Sequence, residues 1–163
     1  MKSLLLLRHA KSSWENAHLA DFDRPLSERG ERDAPRMGRL LRREDLVPDL
    51  IVTSTARRAQ QTAERVATYS GYEHDIEYTR DFYHAGPGEY LAYLAQLSDT
   101  WQQVMVVGHN PGLEELLELL TGEAELLPTA AIAHVRLPIH RWHELNEETE
   151  GELVAVWRPR EVS

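Results

Sequence analysis

A run of four leucines, Leu4 to Leu7, that stops abruptly on Arg8-His9 constrains this chain more than any other feature. Four consecutive apolar residues without alternation fit a strand buried on both faces, as in the middle of a parallel sheet. A second run, Val104-Met105-Val106-Val107, ends on Gly108-His109 and has the same character. Longer amphipathic stretches lie between such runs. Short apolar runs alternating with helical patterns are the signature of strands joined by helical crossovers. The expected fold class is therefore α/β, a three-layer α/β/α arrangement with a mainly parallel central sheet.

The periodicity predicts strands over Ser3 to Arg8, Asp49 to Thr53, Asp75 to Tyr78, Gln103 to Gly108, Ala130 to Leu137 and Leu153 to Trp157. Helices are expected over Ser27 to Arg43 behind a serine cap, Thr55 to Tyr69, Pro87 to Leu97 with proline in the first turn, and Pro111 to Leu120 closed by Gly122. The acidic stretch Glu144 to Glu152 reads as a solvated hairpin connection. With 163 residues the chain is read as one domain, 1–163, and no internal repeat is evident.

Composition narrows the partners. A net charge of -9 argues against nucleic acid or an anionic membrane, because both would be repelled at long range. Any anionic substrate must then be captured by a local cluster of positive charge. The chain has no cysteine, which rules out a disulfide framework and fits a reducing cytoplasm, the expected location. Leu4 to Leu7 is too short for the apolar core of a signal peptide, and no other stretch approaches a transmembrane span.

Three strand ends supply that cluster. Arg8 and His9 emerge from the first strand, His109 and Asn110 from the fourth, and the strand Ile51 to Ser54 runs into a helix carrying Arg57 and Arg58 in its first turns. In open α/β sheets ligands bind at this edge, and a helix start adds partial positive charge. Arginine presents a planar two-donor fork to phosphate oxygens and stays charged. Neutral imidazole is a good nucleophile near neutral pH, and the nitrogen–phosphorus bond it forms is easily hydrolysed.

These residues resemble a family. Leu6-Leu7-Arg8-His9-Ala10 is similar to the Arg-His-Gly/Ala nucleophile motif of the histidine phosphatase superfamily, which includes the phosphoglycerate mutases. Ser54 to Ala63 resembles its Ser-x-x-x-Arg-Ala-x-Gln-Thr-Ala segment, Val107 to Pro111 its second-histidine motif, and Arg24 to Gly30 the Pro-Leu-Ser/Thr-x-x-Gly approach to its first helix. The matches run in family order from Leu4 to about Leu120. Short length, Arg-His-Ala, and Lys11-Ser12-Ser13-Trp14 look most like the compact phosphohistidine phosphatase (SixA-type) branch.

The resemblance implies a phosphoglycerate mutase-like fold and a phosphatase without metal or other cofactor. It acts on a phosphorylated protein bearing phosphohistidine, or on a small phosphorylated metabolite. His9 is then the nucleophile, Arg8 and Arg58 bind the phosphate, and His109, protonated, stabilises the transition state. A phosphomutase and a non-catalytic phosphoprotein-binding module are the alternatives. Helix phase independently favours Arg58 over Arg57: at about 100° per residue, Arg58 borders the apolar stripe marked by Ala59 while Arg57 lies opposite it. Ser54 is read as the cap of this helix.

The pattern departs from the family at the general acid. Asp81, His84 and Glu89, with Asp21 and Asp23, are the candidates, and none occupies a matching position. Glu89 reads as a helix-start acid and Asp21 and Asp23 as loop organisers with Arg24. His140 and His143, three apart, resemble half of a metal site but lack a third ligand at a characteristic spacing. His134 is expected on the solvated face of its strand, and Trp142 and Trp157 in packing.

Overall fold

The computed structural model describes residues 1–162. Six strands form one sheet: β1 (Lys2–Arg8), β2 (Leu50–Ser54), β3 (Ile76–Thr79), β4 (Gln103–Gly108), β5 (Ile132–Leu137) and β6 (Glu152–Trp157), in the order β3-β2-β4-β1-β5-β6. The first four are mutually parallel, while β5 and β6 run antiparallel at one side. Four helices connect them: α1 (Glu28–Arg43), α2 (Arg57–Ser70), α3 (Pro87–Leu94) and α4 (Gly112–Thr121).

The leucine run explains the layering. Successive side chains on a strand point to opposite faces, so Leu5 and Leu7 join Met105 and Val107 in a core closed by Met37 of α1 and Val66 of α2. Leu4 and Leu6 join Val104 and Val106 in the opposite core, closed by Leu91 of α3 and Leu116 of α4. All four leucines are fully buried, as expected for a strand with helices on both faces. Truncating one of them to alanine is a change of the class that costs about 2–5 kcal/mol.

Register places the strand ends on one rim. Arg8 pairs with Gly108, and Thr53 pairs with Val107, so His9, His109 and Ser54 leave the sheet side by side. The segment before β5 wraps this rim: the Ala130 N–H donates to the carbonyls of Arg8 and His9 at 3.0 and 3.1 Å. That bond and a left-handed Ala130 (φ 65°) delay β5 to Ile132, two residues after its expected start.

Three further expectations are corrected. Helix α2 begins at Arg57 with Ala56 as its cap residue, so Ser54 does not cap it. The Ser54 hydroxyl instead accepts the N–H of Ala56 at 3.2 Å, a local turn that holds the strand-to-helix corner. His134 is buried, not solvated, because it faces β1 and meets the Ser3 hydroxyl at 2.8 Å. Helix α3 stops at Leu94, three residues early, where its last turn loosens into 3₁₀-type bonds. Trp142 is fully buried and its indole donates to the carbonyl of Trp101, so it packs as expected.

Candidate active site

His9 follows β1 directly and is buried. Its Nδ1 lies 2.8 Å from the carbonyl of Ala10, which can only accept, so Nδ1 carries the proton. Nε2 is left with its lone pair, facing the Nε–H of Arg58 at 3.4 Å. Burial, offset in part by the Ala10 carbonyl and reinforced by His109, Arg58 and Arg8, pushes the His9 imidazole down to about 3. The ring is neutral at neutral pH and held with a free Nε2 lone pair, a state from which an imidazole can act as a nucleophile.

His109 stands beside it, the ring centroids 5.1 Å apart. Its Nε2 meets the Ser54 hydroxyl at 2.8 Å. Since that hydroxyl oxygen already accepts from Ala56, its proton is free to point at Nε2. Nδ1 of His109 is buried without a partner. Burial first and the Arg58 charge second lower this imidazole to about 4, against the opposing pull of Asp21. The expected cation is therefore absent from the ligand-free site. A bound dianion, which favours imidazolium, is needed to produce it.

Helix phase separates the two neighbouring arginines as the sequence suggested. Arg58 is buried at the rim and Arg57 is exposed. What the sequence did not reveal is the clamp on Arg58. Its Nη1 donates to the Asp21 carbonyl at 2.7 Å and its Nη2 to the Asp21 carboxylate at 3.0 Å. The same carboxylate accepts from the Tyr83 hydroxyl at 2.7 Å and from Arg24 at 3.1 Å. Partial burial alone would raise the Asp21 carboxyl, but the bonds from Tyr83 and Arg58 and the charge of Arg58 hold it at about 2. Asp21 is thus more than a loop organiser: it joins the loop before α1 and the loop after β3 to Arg58. The sequence carried no spacing signal for this contact, because Asp21, Arg58 and Tyr83 lie on three separate segments.

Arg8 projects from the end of β1 and donates through Nη1 to the carbonyl of Leu127 at 3.1 Å, while its Nε is buried and unpartnered. Asn110 is anchored to the same carbonyl at 2.8 Å. Among the described residues four buried side-chain polar atoms lack partners, and three belong to Arg8, His109 and Asn110. Such a concentration at one rim is the pattern of groups awaiting a ligand. Gly108 is required here because the Tyr90 hydroxyl occupies the space of a Cβ and accepts the His109 N–H at 3.3 Å.

The cluster sits where two depressions meet, of about 240 and 360 Å³, sharing Arg58, His109 and Asn110. Lys11, Arg24 and Trp14 border the first, with Trp14 72% exposed and stacked on the Arg24 guanidinium. Tyr83, His84 and Glu115 border the second. Of the acid candidates, Asp81 and Asp23 are exposed and line neither depression. Glu89 accepts the Gly86 N–H in its helix start. His84 borders the site, and Glu115, which the sequence reading passed over, does too. Among the described residues no group of three or more histidines, cysteines or carboxylates is placed to hold a metal ion, and His140 and His143 lie exposed away from this rim.

Comparison with known proteins agrees with this geometry. Residues 4–90 match the profile of the histidine phosphatase superfamily (branch 1). A protein of Mycobacterium leprae with no assigned activity is 34% identical over 94% of this chain and 100% of its own length. The fold superposes with a TM-score of 0.81 on a structure from Agrobacterium tumefaciens assigned as the phosphohistidine phosphatase SixA, 32% identical, over 97% of this chain and 98% of that one. It superposes with a TM-score of 0.83 on the protein histidine phosphatase SixA complexed with tungstate, 25% identical, over 97% of each chain. The profile spans more than half of the chain and includes the Arg8-His9 strand end, the Asp21 loop and the Arg58 helix, so this chain belongs to the histidine phosphatase superfamily.

Proposed function

We propose that the protein is a metal-independent phosphatase that hydrolyses phosphohistidine, carried by a protein partner, through a phosphorylated His9. The observation that carries this reading is the state of His9: Nδ1–H held by the Ala10 carbonyl, Nε2 bare and aimed at Arg58, with His109 alongside.

Nε2 attacks phosphorus and the leaving nitrogen departs on the opposite side. The Ala10 carbonyl stabilises the positive charge that grows on the imidazole as the bond forms. Arg8, Arg58 and the unpartnered nitrogen of His109 donate to the phosphoryl oxygens, and His109 takes up a proton as the dianion binds. Water then attacks phospho-His9 and releases phosphate. These donors fill the charge-neutralising role that a divalent ion plays in other phosphatases. Tungstate, bound by a relative, is a tetrahedral oxyanion of the kind this rim suits.

Substrate class follows from the acid. Asp21 is the carboxylate hydrogen-bonded into the cluster, and a group held at about 2 is ionised at neutral pH and has no proton to give. An alkoxide leaving group needs that proton, whereas imidazole, with a pKa of about 6.5, is protonated far more readily. An open rim edged by the exposed Trp14 also suits a side chain presented by a protein.

The test compares phosphohistidine, an aryl phosphate and an alkyl phosphate under one set of conditions. The first two should turn over well and the alkyl ester slowly. Equal rates on the alkyl ester would show that an acid exists, with His84 and Glu115 the first positions to change. Exhaustive chelation should leave activity intact. Transfer of the phosphoryl group to a second acceptor rather than water would make the protein a mutase.

A further inference from the structure

Arg29, Arg32 and Arg36 recur at three- and four-residue spacing along α1 and so share one side of it. The segment following β6 brings Arg158 and Arg160 against that side, and the five arginines line a cavity of about 360 Å³. Two carboxylates, Asp33 and Glu161, line it as well, so the wall carries five positive and two negative charges, an excess of three. Arg29 and Arg36 reach Asp33 at 3.5 and 3.4 Å, and Arg158 reaches Glu125 at 3.1 Å and Glu161 at 3.7 Å. Arg32 and Arg160 are exposed, and their guanidinium groups form no hydrogen bond or ion pair among the described residues. In a chain of net charge -9 this is a local reversal of sign.

Its position ties it to catalysis. Thr129 lines both this cavity and the depression holding Arg8, His9 and Arg58, and its hydroxyl accepts from Arg29 at 3.2 Å. Two residues away on the same segment, Leu127 supplies the carbonyl that anchors Arg8 and Asn110. The arginines are therefore within reach of residues that flank a phosphorylated side chain presented to His9.

We propose that this arginine-lined cavity docks an acidic segment flanking the phosphorylated residue of the protein substrate. The inference rests on the phosphoprotein reading above and extends it to the partner's chemistry. An acidic partner is repelled by most of this protein's surface and attracted at this face, so the charge pattern orients the encounter as well as holding it. The contact is exposed and hence salt-sensitive.

The experiment uses two synthetic phosphohistidine peptides that differ only in flank, aspartate and glutamate against asparagine and glutamine, with an aryl phosphate as control. Wild-type protein should show a kcat/KM roughly three- to tenfold higher on the acidic peptide at low salt, the scale of two or three exposed ion pairs. The double variant Arg32→Glu, Arg160→Glu should lose that preference and keep its aryl phosphate turnover. Equal kcat/KM on the two peptides, or a preference that survives in the variant, overturns the docking site and leaves the phosphohistidine reading standing. If neither peptide is hydrolysed while the aryl phosphate is, the substrate reading fails by itself. Fluorescence anisotropy of the peptides then decides the docking site: selective binding of the acidic peptide that the variant loses upholds it, and binding unaffected by the flank or by the variant removes it.

Discussion

The two histidine-bearing strand ends look alike in the sequence and are held in different ways. His9 at the end of β1 is oriented by the carbonyl of the very next residue, so its tautomer is a local property of the backbone. His109 at the end of β4 is oriented by Ser54, which is 55 residues away and arrives through the register of β2 on β4. The orientation of His9 is thus set by the backbone, whereas that of His109 depends on one side-chain hydroxyl. A group that must hold a single protonation state benefits from a partner that cannot itself titrate or rotate. A group that must change its charge when substrate binds needs a softer partner.

Deleting each ring is the severest test of this contrast. His9→Ala should abolish the covalent intermediate and lower kcat/KM by roughly 10⁴-fold or more, since no other group can carry the phosphoryl. His109→Ala should cost on the order of 10²–10³-fold, the scale of a lost transition-state donor, while still forming labelled protein. Brief incubation with labelled substrate and peptide mapping separates them, and label outside His9 would end the assignment.

The neighbouring arginines come next. Arg58→Ala should lose about 2–4 kcal/mol of transition-state stabilisation. Arg57→Ala should stay near wild type, because Arg57 is exposed. Comparable losses in steady-state kinetics would show that the guanidinium at position 58 is not the one that meets phosphate.

Both rings are buried neutral, and this makes stability depend on pH. His9 titrates at about 3 and His109 at about 4 in the folded protein, against 6.5 for the free side chain. Between these values the unfolded chain binds more protons, so stability is complete above the unfolded pKa and is lost as pH falls through the window. By pH 5 each ring should cost about 2 kcal/mol, following 1.4 kcal/mol per pH unit below about 6.5. Denaturant titrations of wild type, His9→Asn and His109→Asn at pH 7 and pH 5 measure this, and equal losses in all three would show that the rings are not buried neutral. Phosphate should narrow the loss attributable to His109, whose cation it favours, more than that of His9.

The smallest effects sharpen the comparison most. Ser54→Ala removes the hydroxyl that orients His109, and Asp21→Asn removes the charge that positions Arg58. Each should reduce kcat/KM by about 1 kcal/mol, roughly fivefold, the net worth of one well-made hydrogen bond. Ser54→Ala should also alter the pH dependence of activity assigned to His109, and Ser54→Thr should restore it.

How far the site could be read before the structure depended on how each residue reaches it. Arg8, His9 and His109 sit at the ends of apolar runs, and a strand that is buried on both faces can only deliver its next residues to the carboxyl edge of the sheet. Arg58 was separable from Arg57 because helical phase is a local quantity. Asp21 and Tyr83 were not recoverable in their role: both lie on irregular segments, where no periodicity relates sequence position to direction. Ser54 reads as a cap in the sequence because a serine before a helix satisfies the local pattern equally well, and only the pairing of Thr53 with Val107 sets it beside His109.

The alternation of apolar runs and amphipathic stretches by itself determined an α/β sheet with helices on both faces, the strand ends that carry the chemistry, and which of two adjacent arginines turns inward. These are consequences of burial and of the two-residue and 3.6-residue periods, which act over a few residues at a time. The tertiary structure alone decided the clamp of Asp21 and Tyr83 on Arg58, the bond from Ser54 to His109, the neutrality of both imidazoles, and the gathering of Arg158 and Arg160 against α1. Each of these depends on desolvation or on contact between segments distant in the chain, and neither follows from the short-range periodicity of the residues.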